Sequence, residues 1–161
     1  MAVRNVIGQS HTRIDAEEKV TGRTKYVADL RLPGMLTCKL LTSTRSHARI
    51  VSIDVSQALE LPGVHGVITG KDFPDVYFGS GAVQDRRIMA RDEVFYVGEP
   101  VAAVAADDEI TALEALALIQ VEYEDLEVVM DPLAAIGPSA PLVHENAVDF
   151  EGYAFSMGGN Q

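Results

Sequence analysis

The chain has 161 residues, and its 47% hydrophobic and 23% charged content is typical of a single soluble globular domain. A chain of this length can bury a hydrophobic core without a disulfide or a structural metal. The formal net charge is −11, and a protein this acidic is repelled by phosphate backbones and by anionic membrane surfaces. The charge therefore argues against nucleic-acid and membrane binding.

The only cysteine, Cys38, indicates a reducing environment, because one thiol can form neither an internal disulfide nor a thiolate cluster. Residues 1–10 contain no apolar run, so no signal peptide is expected. The longest apolar stretch, residues 101–106, is far too short to span a bilayer. The expected location is the cytoplasm.

The N-terminal segment predicts one capped helical turn over residues 15–18. Asp15 can accept hydrogen bonds from the first free backbone N–H groups, and Glu18 stands at the capping-box spacing. Gly22 follows at the place where a left-handed residue would end the turn.

The segment from residue 35 to residue 69 predicts three strands and one short helix. The strands are expected at residues 35–41, 48–54 and 64–69. The helix is expected over residues 57–61, with Asp54 or Ser56 as its cap. Pro62-Gly63 then breaks the helix before the third strand.

The second half begins with a long predicted loop over residues 71–91, which has little periodicity. Two buried strands are expected next, at residues 94–97 and 101–105. Three acidic residues at 107–109 supply the cap and first turn of the clearest helix, residues 110–120. Its apolar face is expected to comprise Ile110, Leu113, Leu116 and Ala117.

Strands are also predicted at residues 121–124 and 126–130, and a helical turn after Asp131-Pro132. One β-α-β unit over residues 101–124 stands out among the mixed helices and strands, so the fold class is α/β or α+β with a mixed sheet. We expect one domain over residues 1–147. Residues 148–161 are expected to be a linker or the truncated start of the next domain.

The four histidines show no metal-binding pattern. They are His11, His47, His65 and His144, and none has another histidine or a cysteine two to four residues away. We expect them to lie on the surface or to be satisfied by structural hydrogen bonds. Cys38 lies within a predicted strand, and we expect it to be buried as a small hydrophobic residue rather than to act as a nucleophile.

Two glycine-containing segments resemble phosphate-binding loops but miss the required pattern. Residues 63–72 place His65 at the first required glycine and Asp72 at the required Ser or Thr. Residues 79–84 lack the last glycine of the dinucleotide fingerprint and a convincing strand before it. A turn after a strand is expected for the first segment, and a loop for the second.

Charged residues form two groups that could carry chemistry. Glu122, Glu124, Asp125 and Glu127 are expected to be a solvated strand face, although a small enzyme built on these carboxylates stays as an alternative. Arg86, Arg87 and Arg91 form a basic island that is expected to be a solvated loop or a contact with an anionic group. No constellation of residues indicates a catalytic, cofactor-binding or metal site.

Several segments, in order along the chain, resemble one known family. They read DAEEKVTGRTKYVADL (15–30), LPGML (32–36), HARI (47–50), LPGV (61–64), VFYVGEPVAAVAA (94–106), ALEA (112–115) and VEYE (121–124). The family is that of xanthine dehydrogenase and aldehyde oxidase large subunits, and the similar region is their N-terminal α/β-hammerhead domain. Residues 89–123 are most similar to the 4-hydroxybenzoyl-CoA reductase branch.

The sequence departs from the family pattern at three positions. Thr42 and Thr44 stand where an Arg and a Pro are usual, and Glu127 stands where a Pro is usual. The loop over residues 71–91 also matches poorly. These departures affect the assignment of a substrate branch more than that of the fold.

The resemblance implies a molybdenum–molybdopterin oxidoreductase whose cofactor motifs and catalytic glutamate lie in later domains. No catalytic, cofactor-binding or metal residue is therefore carried over to this chain. The implied partners are the cofactor-binding domains of the same subunit and the iron–sulfur and flavin subunits or domains. We expect a structural packing domain that is not catalytic alone. The alternative is a stand-alone binding or assembly module encoded as a split subunit.

Overall fold

The computed structural model of the protein describes residues 8–78 and 86–141. The chain divides into two compact units, Met1–Met35 and Leu36–Gln161. The predicted Gly79-Ser80-Gly81 loop, His144 and the predicted linker at residues 148–161 lie outside the described residues.

The first unit contains helix α1 (Ala16–Val20) and a short 3-10 turn over Val27–Asp29. The predicted helical turn is thus confirmed, and Gly22 ends it with a φ of 69°. The predicted capping role of Asp15 is wrong, because Asp15 makes no side-chain cap hydrogen bond. Its backbone is not in the extended conformation of most N-caps, and its carboxylate pairs with Arg13 and Lys19, at 2.5 Å each.

The second unit contains the strands and the remaining helices. In chain order these are β1 (Thr37–Thr42), β2 (Ala48–Asp54), α2 (Ser56–Glu60), β3 (Val64–Thr69), β4 (Glu93–Val94), β5 (Pro100–Ala106), α3 (Glu109–Leu118), β6 (Gln120–Asp125) and α4 (Pro132–Ala135). The predicted mixture of helices and strands is confirmed. The bounds of β2 and β3 are those that the sequence predicts.

The strands form two three-stranded antiparallel sheets. The first has the order β1-β5-β3, and the second has the order β4-β2-β6. The predicted β-α-β unit is therefore wrong as a crossover unit. Although β5, α3 and β6 follow one another along the chain, the two strands belong to different sheets.

Two hydrophobic cores hold these layers together. In the helix-side core, α2 and α3 pack on one face of the first sheet; its buried residues are Ala58, Ala102, Val104, Ala106, Ala112, Ala115 and Ile119. In the strand-side core, β5 meets the second sheet and the segment before β4; its buried residues are Ala48, Ile50, Ala90, Val94 and Val101. Strand β5 contributes to both cores.

Helix α3 buries its small side chains. Asp108 caps it as predicted, since its carboxylate accepts a hydrogen bond from the Thr111 N–H at 2.8 Å. Ala112 and Ala115 face the sheet, whereas Ile110 and Leu113 are exposed. The predicted apolar face is therefore mostly wrong: at 3.6 residues per turn, Ile110 lies about 170° and Leu113 about 130° from the mean direction of the two alanines. Leu116 alone of the larger predicted residues packs against the helix-side core.

Of the predicted strands, the one at residues 94–97 is mostly wrong and the one at residues 126–130 is wrong. Strand β4 stops at Val94, and Tyr96 and Val97 are exposed residues of a turn rather than parts of a buried strand. Residues 126–130 have no strand partner and continue beyond β6 as irregular chain. In both places an apolar, β-branched run predicts a strand, but a strand also needs a neighbour with which to pair.

Glycine is required where the turn after β3 meets the segment before β4. Gly70 follows β3, and a Cβ atom there would lie 2.2 Å from the Ala90 carbonyl oxygen. Gly66, within β3, has no atom within 4 Å of the position that a Cβ would take.

We expect Gly70→Ala to lower the free energy of unfolding by about 1–3 kcal/mol, because backbone atoms must move to admit the methyl group. Gly66→Ala is the matched control and should change it by less than about 1 kcal/mol, in the stabilising direction, because alanine restricts the unfolded chain. Urea unfolding of both variants measures the difference. Equal effects of the two substitutions would contradict the close packing at Gly70.

Candidate functional site

The loop between β4 and β5 is closed by its own glutamate. The Glu99 carboxylate accepts a hydrogen bond from the Phe95 N–H at 2.7 Å. Ser43 joins the loop to the end of β1, since its N–H donates to the Glu99 carbonyl and its own carbonyl accepts from the Gly98 N–H, both at 2.8 Å. Gly98 has a φ of 97°, a conformation that side chains disfavour.

The environment of Glu99 opposes its ionisation. Burial raises the pKa of the Glu99 carboxyl above its ordinary value of 4.5, while the N–H groups of Phe95 and Tyr96 and the charge of Arg87 act in the opposite direction. The carboxylate stabilises the turn that contains it by accepting the Phe95 N–H hydrogen bond. The sequence alone does not predict this role. The signal for it was the Gly98-Glu99-Pro100 turn directly before an apolar strand.

His47 links β2, β4 and the chain that follows β6. Its Nε2 lies 2.8 Å from Glu93 Oε1, its Nδ1 lies 2.6 Å from the Glu127 carbonyl oxygen, and its ring stacks on Phe95. Both partners are hydrogen-bond acceptors, so the ring nitrogen is the donor in each bond that His47 makes to them. The side chain is 16% exposed. The expectation of a structurally satisfied histidine is thus confirmed for His47.

The other histidines in the described part of the chain lie on the surface. His65 pairs with Asp107 at 2.8 Å, and its side chain is 52% exposed. His11 is exposed in the first unit. Residues 8–78 and 86–141 contain no group of three His, Cys, Asp or Glu side chains that could hold a metal ion.

The acidic residues of β6 face complementary groups on β2. Glu124 pairs with Arg49, and Ser52 donates to Glu122 at 3.3 Å. The antiparallel register brings these residues opposite each other across the ladder. The arrangement is that of exposed cross-strand pairs, as expected for a solvated strand face.

Two arginines of the basic island, Arg87 and Arg91, make contacts within their own loop. Arg87 pairs with Asp75 at 2.9 Å and lies over the Tyr77 ring, 4.9 Å from its centre. Arg91 donates to the Phe73 carbonyl at 3.1 Å. The guanidinium groups of Arg87 and Arg91 therefore tie the two described ends of the loop together.

The segment that resembles a phosphate loop forms a 3-10 turn over Gly70–Asp72. Asp72 accepts a hydrogen bond from the Thr69 N–H at 2.7 Å, and the Thr69 hydroxyl accepts from the Lys71 N–H at 3.3 Å. The turn after a strand is confirmed.

Cys38 contradicts the prediction of a buried thiol. It lies on β1 as predicted, but it is exposed. The alternation of β1 turns Thr37, Lys39 and Leu41 toward the helices, where Lys39 pairs with Glu109 at 2.5 Å. Cys38 points to the other face of the sheet, which neither α2 nor α3 covers.

No helix in the described residues is long and apolar enough to cross a membrane.

Residues 21–127 match the family described as aldehyde oxidase and xanthine dehydrogenase, a/b hammerhead domain. A probable xanthine dehydrogenase subunit from Bacillus subtilis is 43% identical over 149 residues, which cover 92% of this chain and 20% of that protein. The xanthine dehydrogenase molybdenum-binding subunit of Escherichia coli O157:H7 is 37% identical over 143 residues, which cover 82% of this chain and 19% of that protein.

A solved structure of reconstituted CO dehydrogenase from Oligotropha carboxidovorans superposes with a TM-score of 0.81 and 36% sequence identity. The match covers 88% of this chain and 18% of that one. The chain thus spans about one fifth of the length of the relatives it matches.

We expect His47→Ala to lower the free energy of unfolding by about 1–3 kcal/mol, because it leaves the half-buried Glu93 carboxylate and the Glu127 carbonyl without their donor. His65→Ala removes an equivalent pair at an exposed position and should cost less than about 1 kcal/mol. Denaturant unfolding of both variants at pH 6 compares the two. An equal loss would show that the His47 contacts contribute no more than a surface pair.

Glu99→Gln should change how stability depends on pH. A carboxyl whose pKa is raised on folding stabilises the native state below its ordinary pKa and loses that contribution as pH rises through the folded-state pKa. A glutamine can still accept from the Phe95 N–H and does not ionise. The stability of the variant relative to the original chain should therefore be greatest near neutral pH and should fall as pH drops toward 4.5.

Thermal unfolding from pH 4 to pH 8 measures this difference. The other carboxyls are common to both proteins, so their titration cancels. A stability difference that grows as pH falls would have the wrong sign for a buried carboxyl.

Proposed function

Because the chain belongs to the aldehyde oxidase and xanthine dehydrogenase hammerhead-domain family, we propose that it is a packing domain of a molybdopterin-dependent oxidoreductase large subunit. The domain would occupy residues 1–147 and would be non-catalytic in isolation. The observation that carries the proposal is its extent: nearly the whole chain matches about one fifth of each relative.

The polar side chains of the domain support this role. Both ring nitrogens of His47 and one carboxylate oxygen of Glu99 make hydrogen bonds within the fold. The carboxylates of β6 pair across the ladder with β2. These contacts favour a structural role for the side chains concerned.

The described residues offer no site at which side chains alone would hold a metal ion: Cys38 stands by itself on an exposed strand, and the described ranges contain no cluster of three potential ligands. Because the chain matches only about one fifth of each relative, we assign the molybdenum–pterin cofactor, which would supply the redox chemistry, to other domains of the parent subunit. Iron–sulfur and flavin centres would lie on partner subunits or domains, and the enzyme would be cytoplasmic.

The substrate of the parent enzyme stays a prediction. The family hydroxylates heterocycles or aldehydes with oxygen derived from water, and the 4-hydroxybenzoyl-CoA reductase branch instead removes a phenolic hydroxyl. The sequence of residues 89–123 favours this branch, and substrate assays of the intact enzyme decide between the two reactions.

Molybdenum and pterin analysis tests the proposal. The intact polypeptide encoded by the same reading frame and the 161-residue chain should be purified from the same cells. We expect the intact polypeptide to contain molybdenum and pterin, and the 161-residue chain to contain far less than one equivalent of either.

Stoichiometric molybdopterin on the 161-residue chain would overturn the assignment of the cofactor to other domains. A reading frame that ends near Gln161 would overturn the parent-subunit proposal and favour a separately encoded binding or assembly module.

A further inference from the structure

The first sheet has one face covered by helices and one face without them. The register of β1, β5 and β3 sets two rows across this second face: Cys38, Ala105 and Gly66 in one row, and Leu40, Ala103 and Ile68 in the next. These residues are called the open face. The two rows alternate along the strands with the residues that point into the helix-side core.

The open face is apolar and partly accessible. Leu40 is 50% exposed and Ile68 is 42% exposed. Cys38, in the other row, is also exposed. No atom lies within 4 Å of the space above Gly66. None of the residues in the two rows is charged, although the chain has a formal net charge of −11.

The sequence of β5 is that of a strand covered on both faces. An antiparallel strand with one solvated face alternates apolar and polar residues, whereas a strand buried on both faces is apolar throughout. Strand β5 reads Pro-Val-Ala-Ala-Val-Ala-Ala and contains no polar side chain. The helices account for Ala102, Val104 and Ala106, and the second sheet accounts for Val101. Ala103 is 3% exposed in its row between Leu40 and Ile68, so the surface left for a second covering layer is that of Leu40, Ile68 and the partly exposed Ala105.

We propose that the open face is the surface against which the remainder of the large subunit packs. The inference rests on the proposed function, because it needs a parent polypeptide. The relatives are about five times as long as this chain, so most of such a subunit lies outside these residues. A covalently linked domain is present at high effective concentration, which favours it over a free partner.

The charge of the chain disfavours a second copy as the occupant. Two chains of net charge −11 repel each other, and the open face carries no cation to offset that repulsion. The small residues Gly66, Ala103 and Ala105 instead allow another layer of structure to approach the sheet closely. The larger side chains of Leu40 and Ile68 would contact that layer on either side of Ala103.

Cys38 provides a direct probe of this face. Maleimide labelling of Cys38, followed by peptide mass spectrometry, should be fast in the 161-residue chain and about tenfold or more slower in the intact large subunit, where the thiol would react only after local opening. Slow labelling in the 161-residue chain would overturn the proposal, because the face would then be covered without the rest of the subunit. A size measurement would show whether a second copy covers it.

Matched substitutions test whether the open face itself makes the contact. Leu40→Asp and Ile68→Asp place a charge on the open face, and Leu59→Asp and Leu113→Asp place one at equally exposed positions on α2 and α3. In the intact subunit, the first pair should raise the Cys38 labelling rate toward that of the 161-residue chain. The second pair should leave the rate unchanged.

Two results would overturn the inference: equal labelling of Cys38 in the chain and in the intact subunit, or equal effects of the two pairs of substitutions. Either result could occur while the intact subunit alone holds molybdenum, and the proposed function would then stand. A reading frame without further domains would remove both proposals together.

Discussion

The hydrogen-bonded ladder that holds β5 between β1 and β3 is the constraint on which the other elements depend. Alternate residues of β5 supply the helix-side core, and Val101 supplies the strand-side core. The Pro100 carbonyl also accepts a hydrogen bond from the Ala90 N–H at 2.8 Å, which joins the first sheet to the segment before β4. A change in the register of β5 would move its side chains to the wrong face and would disrupt both cores together.

In this arrangement, His47 and Glu99 lie outside the two hydrophobic cores. These two side chains connect elements of the fold. Glu99 closes the turn that leads into β5, and His47 joins three segments at the edge of the second sheet. These contacts engage both ring nitrogens of His47 and one carboxylate oxygen of Glu99, which is consistent with the packing role that we propose for the domain. The apolar open face is the part of its surface for which we propose a contact with the rest of the subunit.

The sequence predicts those elements whose signal is local. The bounds of β2 and β3 follow from β-branched runs between turns, and α3 and α4 begin at aspartates that cap them. The errors arise where the outcome depends on contacts distant in sequence. Residues 126–130 have β propensity but no strand to pair with, and Cys38 was assigned to the interior because composition does not reveal which face of a sheet is covered.

The same limit applies to helix α3 and to the candidate site. Its larger apolar residues, Ile110 and Leu113, suggested the buried face, but close contact with the sheet selects Ala112 and Ala115 instead. The sequence does not predict the Glu99 turn, because residues 94–97 read as a strand, whereas the structure closes a turn there with a hydrogen bond from the Phe95 N–H to the Glu99 carboxylate. The family, in contrast, was recognised from an ordered set of short motifs, and the hammerhead match over residues 21–127 confirms it.

Hydrogen exchange compared between the 161-residue chain and the intact large subunit tests most directly the claim that this is a packing domain with one face left for its parent. We expect β5 amides to exchange slowly in both, because their ladder is internal to the domain. The amides of β1 and β3, which frame the open face, should exchange more slowly in the intact subunit. Unchanged exchange in β1 and β3, with new protection confined to α2 and α3, would show that the helices rather than the open face meet the rest of the subunit.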